Sequence, residues 1–200
     1  VSAPDPIHPL TALARPGRIG AASATGAAAL TISLPRRDLV QVLARRGQTA
    51  ALGVALEARF GVALPGPGQA AAGRDATAIW IQQEGWMLAA PRGPEGDFAA
   101  RVTAALAGLA AVEDQTHGRT TIRLAGPGAR AVLARGCRVD LHPRVFGPGR
   151  AVSTPIAHVG CLVHQTDDTP GFELTVFSTF AQTLFDWLVS VAAEIGAEIA

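Results

Sequence analysis

Asp114-Gln115-Thr116-His117-Gly118-Arg119-Thr120-Thr121-Ile122-Arg123-Leu124-Ala125-Gly126-Pro127-Gly128-Ala129-Arg130-Ala131-Val132-Leu133-Ala134-Arg135-Gly136-Cys137-Arg138-Val139-Asp140-Leu141-His142-Pro143 reads as a strand followed by a sharply bounded helix. Side chains alternate across an extended segment, so Thr120, Ile122 and Leu124 share one face. Gly126-Pro127 stops the strand. Pro127 is predicted as the first helical residue, where its missing N–H costs nothing. Gly136 stands where a left-handed residue would close the helix. Upstream, 111–116 is a predicted strand expected to pair with 120–124 through His117-Gly118.

Working outward, strands are predicted over 28–34, 38–44, 77–82, 86–90, 151–157, 159–165 and 172–177. The segment 77–90 reads as a hairpin about Glu84-Gly85, and Pro65-Gly66-Pro67-Gly68 begins a loop reaching about Asp75. Helical spacing of Leu52, Leu56 and Phe60 marks a helix over 48–60. Phe98, Val102, Leu106 and Leu109 give an amphipathic helix over 94–109. Ser178 is predicted to cap a last helix with Phe180, Leu184, Trp187, Leu188 and Val191 on one stripe. Strands alternate with helices, yet hairpins occur as well as crossovers. The expected class is α+β: mostly antiparallel sheets with packed helices. Residues 1–27, rich in Pro, Ala and Gly, are expected to be a flexible arm. Ile7, Leu10 and Leu13 could anchor that arm on a partner. The remainder, 28–200, is expected to form one domain with lobes of about 28–110 and 111–200.

The 200 residues are 48% hydrophobic and only 16% charged, which suits a chain that buries surface against larger subunits. All 17 basic residues are Arg, and the net charge of +1 creates no strong field for nucleic acid or an anionic membrane. No apolar stretch reaches the roughly 18 residues of a membrane span, and no signal-peptide pattern opens the chain. Cys137 and Cys161 could form at most one bridge, so a reducing, cytoplasmic compartment is expected. Trp80, Trp86 and Trp187 are assigned to the core.

Several polar groups invite a chemical reading. Asp114 and His117 could pair as acid and base, but with no nucleophile beside them they are assigned to the turn backbone. Asp140 and His142 fall on one side of an extended segment, where a mutual hydrogen bond is expected. His158, Cys161 and His164 are spaced by odd offsets, so a strand sends neighbours in that series to opposite faces and a shared metal is not expected. Gly126-Pro127-Gly128 could form an anion nest, yet it matches neither a dinucleotide fingerprint nor a phosphate loop. No catalytic, cofactor-binding or metal-binding residue is assigned.

The ordered series Asp-x-Thr-His-x-Arg, Gly-Pro-x-Ala-Arg-x-Val-Leu, Gly-Cys and Asp-Leu-His-Pro, from Asp114 to Pro143, resembles the gamma subunit of heterotetrameric sarcosine oxidase. It continues through Phe146 to Arg150, Ser153-Thr154, Phe172 to Val176 and Ser178 to Trp187. That family is a divergent relative of the folate-binding aminomethyltransferases, and the resemblance implies their two-lobed fold. It also implies a non-catalytic chain in a complex that oxidatively demethylates sarcosine to glycine. The one-carbon unit would pass to tetrahydrofolate or leave as formaldehyde. FAD, FMN, NAD, zinc and tetrahydrofolate would then belong to partner chains: the alpha, beta and delta subunits, chiefly alpha. The folate-binding relatives carry an active-site carboxylate; the matching stretch here, His158 to Val163, has no Asp or Glu. A stand-alone folate-dependent one-carbon transferase is the competing expectation, and the equivalent subunit of an N-methylglutamate dehydrogenase-type complex is a third. Arg119, Arg144 and Arg150 are candidate partner contacts.

Overall fold

A computed structural model describes residues 8–20, 29–93 and 97–200. In chain order its elements are β1 (Gly17–Ile19), β2 (Leu30–Ser33), β3 (Arg37–Ala44), α1 (Thr49–Phe60), β4 (Ala70–Ala72), β5 (Thr77–Gln82) and β6 (Gly85–Pro91). They continue with α2 (Phe98–Ala105), β7 (Ala110–Asp114), β8 (Arg119–Ala125), α3 (Ala129–Ala134), β9 (Ala151–Ile156), β10 (Val159–Asp167) and β11 (Gly171–Phe177). A 3₁₀ turn, Ser178–Phe180, leads into α4 (Ala181–Ala193), and β12 (Ala197–Ile199) follows. One sheet runs β1-β12-β2-β8-β11-β10-β9 and the other β4-β5-β6-β3-β7. All pairings are antiparallel except β12 with β2. The α+β architecture is as the sequence predicts.

Both sheets are buried on two faces. On the seven-stranded sheet, Ile122, Leu124, Leu174 and Val176 pack against Val132 and Leu133 of α3 and Leu184 and Leu188 of α4. On the five-stranded sheet, Val40, Val42, Trp86 and Leu88 pack against Leu52, Leu56 and Phe60 of α1 and Phe98 and Val102 of α2. The opposite faces meet each other, with Leu39, Ile79, Met87 and Ala89 against Ala151 and Leu162. The layers are therefore helix, sheet, sheet, helix. Burying a large apolar side chain contributes about 1.5–3 kcal/mol, so the two helix-covered clusters dominate the stability. Gly61 ends α1 in the left-handed region at φ 61°, donating its N–H to the Glu57 carbonyl at 3.0 Å.

Several local expectations are corrected. β7 and β8 do not form a hairpin. β7 pairs with β3, whereas both edges of β8 are occupied by β2 and β11. Residues 115–118 instead carry the chain from one sheet to the other. α3 begins at Ala129, two residues beyond Pro127, because Gly126 to Ala129 first closes a turn, the Ala129 N–H donating to the Gly126 carbonyl. Gly136 is not left-handed; a Cβ there would lie 2.6 Å from Cζ2 of Trp187, so close packing is what requires glycine. Ser178 does not cap α4: its hydroxyl donates to the His117 carbonyl at 2.9 Å. The buried stripe of α4 is Ala181, Leu184, Phe185, Leu188 and Ala192, which leaves Phe180 exposed.

The amino-terminal segment also differs from the expected arm. Leu10 is fully buried in the larger sheet's core, and β1 pairs with β12, so residues 8–20 pack on their own chain. β1 and β2 thus join the second lobe, leaving the five-stranded sheet to residues 37–114. Ile7, the rest of the arm at 1–7 and 21–27, and the expected strand and helix starts at Ala28 and Pro94 lie outside the described residues. The short strands β1, β4 and β12 were not predicted; three residues carry no readable alternation. Trp86 is buried and donates its indole N–H to the Pro65 carbonyl at 2.9 Å, while Trp80 and Trp187 are only partly buried.

Candidate functional site

Between the described elements the chain passes from sheet to sheet twice: at 34–36, from β2 to β3, and at 115–118, from β7 to β8. A cavity of about 290 Å³ opens between these crossings. Its charged and polar walls include His8, Arg36, Arg37, Arg92, His117 and Arg119. The strand period explains the composition: Arg37 and Leu39 of β3, and Arg119 and Thr121 of β8, point into the space between sheets, while Val40 and Ile122 point to the helices.

Behind the cavity lies a buried polar cluster. Glu173 on β11 is ion-paired with Arg37 of the opposite sheet. Glu173 stands beside His164 on β10 and Arg123 on β8. Arg123 donates to Asp167 at 2.7 Å and to Thr166 at 2.8 Å. Hydrogen bonds from Thr169 and from Arg123 hold the Asp167 carboxyl far below the usual carboxylate range. Asp38 faces Arg92 at 3.8 Å; burial raises its pKa, against the pull of Arg92. Burial lowers the pKa of His164, whose Nδ1 has no hydrogen-bond partner. His8 accepts the Leu10 N–H on Nδ1 at 3.2 Å, so its ring proton sits on Nε2 and meets Thr120 Oγ1 at 2.7 Å. Burial, then Arg36, lowers the His8 pKa.

The groups singled out from the sequence are not brought together. Asp114 accepts the Thr116 N–H at 2.9 Å in its own turn, the backbone role expected of it, and His117 points to the cavity wall. Asp140 and His142 do not bond through their side chains: Asp140 accepts the His142 backbone N–H at 2.8 Å, and His142 accepts that of Arg144 at 3.2 Å. A turn that closes on its own backbone leaves neither side chain for the other. His158 occupies the exposed β9–β10 turn at φ 71°, Cys161 faces the helices and His164 faces the other sheet. Burial pushes the Cys161 thiol up to about 12. Among the described residues no cluster of three His, Cys, Asp or Glu could hold a metal. Gly126 is at φ 121°, with the Ala29 carbonyl 2.9 Å from where a Cβ would stand, so the glycine turn admits a backbone rather than an anion. Arg150 joins the lobes through a bridge to Gln69, and Arg144 is exposed.

Arg37, Arg92, Asp38, His8 and Glu173 were missed as site residues. The available signal was a charge interrupting an otherwise apolar strand, as Glu173 does between Phe172 and Leu174.

The cluster supplies cations and hydroxyls, with its carboxylates already engaged by arginine. That is an arrangement for holding sheets together and for receiving an anion. The fold is the aminomethyltransferase type: aminomethyltransferase T of the glycine cleavage system from Bartonella henselae superposes with a TM-score of 0.61 at 18% identity, covering 83% of this chain and 49% of that one. Within that class the sequence goes further, because the pattern of the sarcosine oxidase gamma subunit family matches residues 46–194. The chain belongs to that family. The gamma subunit of sarcosine oxidase from Arthrobacter sp is 34% identical over 144 residues, covering 70% of this chain and 69% of that one. A chain of heterotetrameric sarcosine oxidase from Corynebacterium sp. U-96, solved in complex with pyrrole 2-carboxylate, superposes with a TM-score of 0.78 at 26% identity, covering 94% and 95%. Among the described residues no helix is long and apolar enough to cross a membrane.

Proposed function

We propose that this chain is a non-catalytic structural subunit of a cytoplasmic, multisubunit, flavin-dependent sarcosine oxidase. The complex demethylates sarcosine oxidatively to glycine, and the one-carbon unit goes to tetrahydrofolate or is released as formaldehyde. Alpha, beta and delta subunits are its partners, alpha chiefly, and they hold FAD, FMN, NAD, zinc and tetrahydrofolate. Family membership across residues 46–194 carries this reading. The state of two acids supports it: Glu173 and Asp167 are locked to arginines, so neither is poised to exchange a proton with a substrate. The test is the purified single chain, which should show no flavin absorbance and no sarcosine turnover. Stoichiometric flavin on that chain would overturn the proposal.

The shared aminomethyltransferase fold favours one other reading, a stand-alone folate-dependent transferase. Fold alone does not carry function. Saturable tetrahydrofolate binding by the isolated chain would favour the transferase, and no heat change at millimolar ligand would dispose of it.

A further inference from the structure

The cations of the cavity between the two crossings are not equally satisfied. Arg37 has Glu173, and Arg92 faces Asp38. Arg119 has neither kind of partner. Among the described residues its guanidinium makes no hydrogen bond and no ion pair, and its Nε–H is enclosed without an acceptor. It lies over the Phe177 ring, 4.0 Å from the centroid, and is attracted by Glu113 without bonding to it. The Nε–H of Arg37, on the facing sheet, is also buried and unpartnered. The enclosed Nε–H is costly, because its lost hydration is not replaced. Stacking on Phe177 fixes where the group sits but accepts none of its N–H bonds.

We propose that this cavity is a binding site for a small carboxylate anion, received by Arg119 with Arg37 beside it. The guanidinium fork matches the two oxygens of a carboxylate. Leu39, Pro9 and Pro35 give the remaining wall an apolar character suited to a short carbon body. The volume of about 290 Å³ lies at the lower end for ligand pockets, so an acid of a few carbons fits and a folate or dinucleotide does not. Nothing in the assembly reading requires this site, and its test does not depend on that reading.

Succinate and acetate are titrated into the purified full chain by calorimetry and thermal unfolding, at ionic strength held constant with sodium chloride. Saturable binding and a rising Tm are expected for at least one acid. Arg119→Gln should abolish both, Arg119→Lys should weaken binding about tenfold or more by losing the fork, and Arg144→Gln should leave them unchanged. Without ligand, Arg119→Gln should lower Tm by no more than about 4 °C, the loss of the Phe177 stacking alone. A larger loss without ligand would show Arg119 to be chiefly structural and overturn the site. So would equal responses of wild type and Arg119→Gln, a response reproduced by chloride, or binding of inorganic phosphate but of neither acid. Repeating the titration on the assembled complex identifies the natural source of the carboxylate. Binding retained there means a free acid, and binding lost on assembly means a carboxylate side chain of a partner subunit.

Discussion

Arg37 on β3 and Glu173 on β11, 136 residues apart in sequence, form an ion pair that ties one sheet to the other. Removing one partner leaves the other charge between the sheets. Glu173→Ala and Arg37→Ala should each cost about 3 kcal/mol, the low end for a buried pair, because Arg37 keeps 26% of its side chain exposed. The double variant should cost less than the sum of the singles in urea unfolding. Additive costs would show that the pair does not couple the sheets.

Gly136 lies against Trp187, with no room for a methyl group between them. Gly136→Ala should lose about 1–3 kcal/mol through overpacking. In a Trp187→Leu background the same substitution should cost clearly less, as measured by thermal unfolding. An equal cost in both backgrounds would remove the indole as the cause.

His164 gives stability a pH dependence of definite sign. Its imidazole is buried between sheets, facing Glu173, Arg37 and Arg123, and burial holds its pKa below the ordinary value. The unfolded chain takes up this proton near pH 6.5, and the native chain only at lower pH. The stability from the neutral ring is therefore complete above that value and declines as pH falls through it. Between about pH 7.5 and 5.5, wild type should lose more stability than His164→Gln. Parallel curves for the two proteins would contradict this.

The two thiols should differ in reactivity. Cys161 is buried, donates to the Val159 carbonyl at 3.3 Å and has its pKa pushed up to about 12, while Cys137 is partly accessible. The thiolate is the reactive form. Native protein should react with a disulfide reagent at Cys137 alone, with Cys161 reacting only after unfolding. Rapid native labelling of Cys161 would show that β10 opens.

Long elements were legible because their periods were clean. Leu52, Leu56 and Phe60 announced α1, and the Val40, Val42 and Ala44 alternation outweighed the helical spacing of Leu39 and Leu43. The sheet pairing was not legible: a four-residue link after β7 looks like a hairpin loop, and nothing local records that both edges of β8 are taken. Gly136 shows the same limit, since a glycine required by a distant indole has the same local signature as one required by a left-handed turn. The cavity assembles from five separated segments, around His8, Arg37, Arg92, Arg119 and Ser178, so no spacing motif could mark it.

The structural-subunit reading stands or falls on what accompanies the chain. A tagged copy isolated from its source cells should bring larger flavin-bearing polypeptides with it, and the isolate should oxidise sarcosine while the separated chain does not. Oxidation of sarcosine by the chain freed of every other polypeptide would contradict the reading.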